Sequence, residues 1–142
     1  RRMTRPRIAT DYIVVHGAYS YPEMDIGFKE IDLWHRKRGF MRVGYHSIIR
    51  RNGEIETGRK PHLIGAGVYG HNDVSYHICL AGGQSPEKEW EFNYTDVQMD
   101  SLRKHINEVL ITYPTAKVMG HCDFPAVKKQ CPAFDVAAWF YD

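Results

Sequence analysis

Apolar positions along this chain fall into short clusters with two different periods. Tyr12-Ile13-Val14-Val15 is an unbroken, largely β-branched run ending in His16, the pattern of a strand buried on both faces. A loop punctuated by Pro22 follows. Asp25 is placed to cap a helix running to about Arg38, with Gly39 as its C′ residue and Ile31 and Trp34 on its inner face. Two extended runs, 45–50 and 54–57, flank Asn52-Gly53, a strong hairpin signal. The stretch 58–72 is rich in Gly, His and Pro and predicts a long irregular loop of the kind that often carries function.

The second half repeats this grammar. Residues 75–81 predict a strand stopped by Gly82-Gly83, and a polar loop runs on to Asn93. Thr95 with Gln98 forms a capping box opening a helix to about Thr112, in which Leu102, Ile106, Val109, Leu110 and Tyr113 follow helical spacing. Residues 117–119 predict a short strand that delivers His121, and Asp135 caps a last helix carrying Trp139 and Phe140. Strands mixed with helices, one hairpin among them, predict an α/β domain with a mixed sheet.

At 142 residues the chain has the length of one domain, with 43% hydrophobic and 25% charged residues. No apolar stretch approaches the roughly 20 residues that span a bilayer. No secretory signal pattern stands at the start. A net charge of +2 is too small to argue for nucleic acid. Arg1, Arg2, Arg5 and Arg7 nonetheless crowd into a basic arm, residues 1–9, which reads as a solvated tail ahead of a main domain at 10–142. Three cysteines do not make a disulfide scaffold, which favours a reducing compartment.

Two histidines and a cysteine stand out: His16 at a strand end, and His121 and Cys131 ten residues apart near the C-terminus. Neutral imidazoles and a thiolate are groups that zinc prefers, and three protein ligands leave a fourth position open for water. Spacing alone leaves His62, His71, His77, Cys79 and Cys122 as competing ligands. Each of these residues, taken singly, is more often a packed core or loop side chain.

Several longer motifs bear on the choice. They are Leu33-Trp34-His35, Val43-Gly44-Tyr45-His46, Ile48-Ile49-Arg50-Arg51-Asn52-Gly53, Gly58-Arg59, Cys79-Leu80-Ala81-Gly82-Gly83 and His121-x-Asp123 … Lys129-x-Cys131-Pro132-x-Phe134-Asp135. In this order they resemble the zinc-dependent N-acetylmuramoyl-L-alanine amidases, a family related to peptidoglycan recognition proteins. The resemblance spans nearly the whole chain. It implies a central mixed sheet flanked by helices, with zinc in a surface groove, and cleavage of the amide between N-acetylmuramic acid and L-alanine. By the same resemblance the zinc ligands are His16, His121 and Cys131, and Tyr45 and Lys129 are catalytic. His46, His71 and Asn72 are implied substrate contacts. The implied setting is a monomeric phage lysin, held in the host cytoplasm until lysis and then acting on peptidoglycan in the periplasm. Some phage amidases also bind the phage RNA polymerase, and the basic arm is the feature of this chain that fits such a partner. A non-catalytic peptidoglycan-binding domain is the alternative. Such relatives typically lose the cysteine ligand, and this chain keeps it. Two departures stand out: Gly65-Ala66-Gly67 where relatives have Gly-Ala-His, and His77 where they have a small residue.

Overall fold

The computed structural model describes residues 5–142. Strands β1 (Tyr12–Gly17), β2 (Ser47–Ile49), β3 (Ile55–Thr57), β4 (Ser75–Leu80) and β5 (Lys117–Gly120) form one five-stranded sheet in the order β3-β2-β4-β1-β5. Only the β2–β3 hairpin is antiparallel, so the sheet is mixed, as the sequence pattern predicts. β1 lies between β4 and β5, and Ile13, Val14 and Val15 are all fully buried. That placement explains a run with no polar alternation.

The two faces of the sheet carry different layers. Ile13, Val15, Ile78, Leu80 and Val118 pack against Leu102, Ile106 and Val109 of α2 (Asp96–Thr112) and Val136 of α3 (Val136–Tyr141). On the other face, Ile48, Cys79 and Ala81 meet Ile31 and Trp34 of α1 (Phe28–Lys37). Val14 on that same face packs under Val68 and Phe124 from loops, not under a helix. The helix-free stretch lies beside the C-terminal ends of β1 and β5, where open parallel sheets place ligand sites.

The first helix starts later than Asp25 predicts. Its N-cap is Gly27, whose N–H donates to Glu30 Oε1 at 2.8 Å, and the Phe28 N–H donates to Glu56 Oε1 at 2.7 Å. Asp25 instead pairs with Arg50 at 3.0 Å. The cap thus comes from β3, a partner that local sequence cannot reveal. The helix end is as expected, with Gly39 in the left-handed region at φ 96.

The solvated-tail reading of the arm needs correction where the chain is described; Arg1 to Thr4 lie outside the described residues. Arg5 and Arg7 exchange backbone bonds with Ile64 and His62, each 2.8 Å long. The half-buried Arg7 guanidinium donates to the Pro61 and Leu63 carbonyls at 2.7 Å and lies 5.3 Å from the Tyr113 ring centroid. It is a clamp on the long loop.

Gln98 joins local capping to the sheet. Its Oε1 accepts from Thr95 N at 2.9 Å, while Thr95 Oγ1 accepts from Gln98 N at 3.1 Å, completing the capping box. Fully buried, it also donates from Nε2 to the carbonyls of Ile49 at 3.2 Å and Ala81 at 2.9 Å, at the ends of β2 and β4. Gln98→Leu strands buried carbonyls as well as opening the cap, so we expect a loss of about 2–4 kcal/mol. Thr95→Ala, which removes mainly the cap, should cost about 1 kcal/mol. Urea unfolding of both variants measures the difference.

Candidate metal centre

β1 and β5 run parallel with Val15 opposite Gly120, so His16 and the residue after β5, His121, emerge side by side. Their ring centroids are 4.6 Å apart. Cys131 arrives from the loop beyond, which turns back where the Cys131 carbonyl accepts from Cys122 N at 2.8 Å. Its Sγ accepts from the Gly17 N–H at 3.2 Å. One ligating atom from each of His16, His121 and Cys131 lies within 4.8 Å of the others. Among the described residues this is the one such group of His, Cys, Asp and Glu side chains that forms.

Burial tunes all three donors. It holds His16 far below the usual histidine range, with His77 and His121 adding to the effect. It lowers His121 to about 4, aided by nearby Lys129. Both imidazoles therefore offer lone pairs at neutral pH. The Cys131 thiol is pushed up to about 12 by burial, against the opposing pull of the Gly17 N–H. A divalent cation would replace the thiol proton and relieve the cost of a buried thiolate. The donor set fits a metal ion.

His121 and Cys131 open onto a groove of about 660 Å³ lined also by His35, Arg38, Tyr45, Trp90, Asn72 and Lys129, with His16 buried beside them. The Tyr45 ring centroid is 4.9 Å from that of His16. Burial raises the Tyr45 phenol well above its usual range, so it keeps its proton and serves as a donor. Lys129 is exposed and lines the groove; Lys128 lines only an adjoining depression of about 440 Å³.

The other candidates separate cleanly. His71 borders the adjoining depression with His121 and Phe124, and Asn72 lines the main groove. His46 does not face substrate: it is fully buried, accepting from His77 N at 2.9 Å and donating to the Leu63 carbonyl at 2.7 Å. Burial drives it down to about 3, so it stays a neutral structural tie. Cys79 is core, Cys122 is partly exposed beside Asp123, and His62 is exposed. Sequence reasoning gave no role to His35, Arg38 or Trp90. His35, whose Nδ1 accepts from Gly44 N at 2.9 Å, was visible only as part of the Leu33-Trp34-His35 motif.

The chain is similar to known proteins in sequence and in fold. The family model described as N-acetylmuramoyl-L-alanine amidase matches residues 5–134. The endolysin of Klebsiella phage KP32 is 40% identical over 134 residues, covering 94% of this chain and 87% of that protein. Two solved structures share the fold. The N-acetylmuramoyl-L-alanine amidase LysC from Clostridium intestinale URNW has a TM-score of 0.76 at 24% identity, covering 98% of this chain and 84% of that one. Bumblebee PGRP-SA has a TM-score of 0.78 at 19% identity, covering 98% and 85%.

Exposure predicts the order of thiol labelling in the native, metal-free protein. Cys122 should react with a maleimide first. Cys131, 3% exposed, and Cys79, fully buried, should wait for unfolding. Time-resolved peptide mass spectrometry reads the order.

Proposed function

The chain belongs to the N-acetylmuramoyl-L-alanine amidase family, and from that premise we propose that His16, His121 and Cys131 hold a catalytic zinc ion. The protein is a peptidoglycan hydrolase that cuts the amide between N-acetylmuramic acid and L-alanine. The observation that carries the zinc assignment is the convergence of two neutral imidazoles and one thiol, with His121 and Cys131 lining an open groove. A His₂Cys set with one open position suits zinc among the common divalent ions. When bound, zinc supplies a water of lowered pKa and polarises the scissile carbonyl.

The chain's own side chains supply the rest. Tyr45, protonated and beside His16, donates a hydrogen bond to the carbonyl oxygen of the scissile amide. That bond strengthens as the oxygen gains charge, so it favours the transition state over bound substrate. Lys129 stands at the groove as the ammonium that offsets the same charge. Trp90 and the half-buried Asn72 form groove wall, against which the glycan and peptide stem would lie. A binding-only module has no use for an open donor trio with a phenol beside it. Likeness to a phage endolysin supports action on the bacterial wall at lysis.

Three variants test the assignment on purified peptidoglycan. Cys131→Ser should lose zinc and cleavage together. Tyr45→Phe and Lys129→Met should keep one zinc per chain and lose about 10²–10³ in rate, the usual cost of removing one oxyanion donor. Metal analysis beside the release of L-alanine amino termini gives both readings. Zinc retained by Cys131→Ser contradicts the ligand set. Zinc lost from Tyr45→Phe makes Tyr45 a structural residue.

A further inference from the structure

His77 is neither a member of the ligand trio nor part of the groove lining, yet it is fully buried in β4 against His16. β1 and β4 pair with Val14 opposite His77, which sets the His16 and His77 rings diagonally on one face of the sheet. His77 Nδ1 lies 2.9 Å from His16 Nε2. On the other side of the ring, His77 Nε2 lies 3.0 Å from Asn72 Oδ1. Asn72 Oδ1 also accepts the backbone N–H groups of Gly67 at 2.8 Å and Val68 at 2.9 Å.

These contacts determine every hydrogen in the chain of bonds. Two backbone N–H donors converge on the Asn72 atom, so it is the amide oxygen, which only accepts. His77 must therefore carry its hydrogen on Nε2. A neutral imidazole has one N–H, so His77 Nδ1 is a lone pair and accepts from His16 Nε2–H. The remaining lone pair of His16 is then on Nδ1, the nitrogen left to face a cation.

We propose that Asn72 and His77 are positioning residues that lock the tautomer and ring orientation of His16 for zinc. The proposal rests on the reading of His16 as a ligand. Histidine ligands ordinarily donate their second nitrogen to a carboxylate, a backbone carbonyl or water. Here a second histidine takes that place and hands the hydrogen bond on to an amide, so no charge is introduced behind the metal. The long loop is matched to this device. A Cβ on residue 67 would stand 2.6 Å from His77 Nδ1 and 2.8 Å from His16 Nε2, so the relay needs glycine there. By holding Gly67 and Val68, Asn72 also ties the groove wall to the relay.

The test combines zinc affinity, by competition with a chromophoric chelator, with long-range ¹⁵N–¹H spectra that report which ring nitrogen of His16 carries hydrogen. In the wild-type protein, His16 should be the Nε2–H tautomer before any zinc is added. His77→Phe should bind zinc about 10–100-fold more weakly and show averaged His16 tautomers. Asn72→Asp, which keeps an acceptor oxygen, should retain the wild-type tautomer and near-wild-type affinity. A wild-type His16 with hydrogen on Nδ1 overturns the relay and needs no variant to fold. An unchanged tautomer and affinity in His77→Phe overturns it equally. Failure of the His16 ligand assignment itself looks different: His16→Ala would then keep its zinc, whatever tautomer the wild-type spectrum shows.

Discussion

The site depends on the parallel register of β1 against β5. With Val15 opposite Gly120, the last residues of the two strands bring His16 and His121 into ring contact at the open edge of the sheet. A slip of one residue would turn His16 to the other face, among the side chains that meet α2 and α3. There the imidazole would lose its bond to His77 inside an apolar layer, a cost that opposes the slip. The same core that stabilises the fold therefore aims the ligands. Cys131 comes from a loop farther along the chain, and two bonds tie it back: its carbonyl accepts from Cys122 N and its thiol sulfur accepts from Gly17 N.

Burial then decides the chemistry. Three donors held in a poorly solvated corner cannot easily carry charge of their own, so the imidazoles stay neutral and the thiol stays protonated until a cation arrives. The groove side differs, with Lys129 exposed and Arg38 at the wall, so positive charge faces the place where an oxyanion forms. The same groove thus meets neutral donors, two cationic side chains and a protonated Tyr45.

Much of this was legible in the sequence. The β1 run, the Asn52-Gly53 hairpin, the Thr95–Gln98 box and the Asp135 cap are local signals, and the structure keeps all four. The ligand trio was legible only in part. Composition left eight His and three Cys, and resemblance to a family chose among them. What local pattern missed depends on long-range contact. Asp25 looks like a helix cap, but Glu56 reaches the helix first from another strand. Arg7 looks solvated until the loop at 61–63 closes over it. His46 sits beside Tyr45 in sequence, yet it turns into the core where Tyr45 faces the groove. His77 and Gly67 read as two unrelated oddities until the fold sets them against one ring, where a small residue in the loop makes room for a large one in the strand.

The most direct test of the central claim is X-ray absorption at the zinc edge of the loaded wild-type protein. An open His₂Cys centre predicts one sulfur at about 2.3 Å and three nitrogen or oxygen neighbours at about 2.0–2.1 Å. A spectrum with no sulfur, or with two, would contradict the account, because only the Cys131 sulfur among the three thiols joins the ligand atoms of His16 and His121.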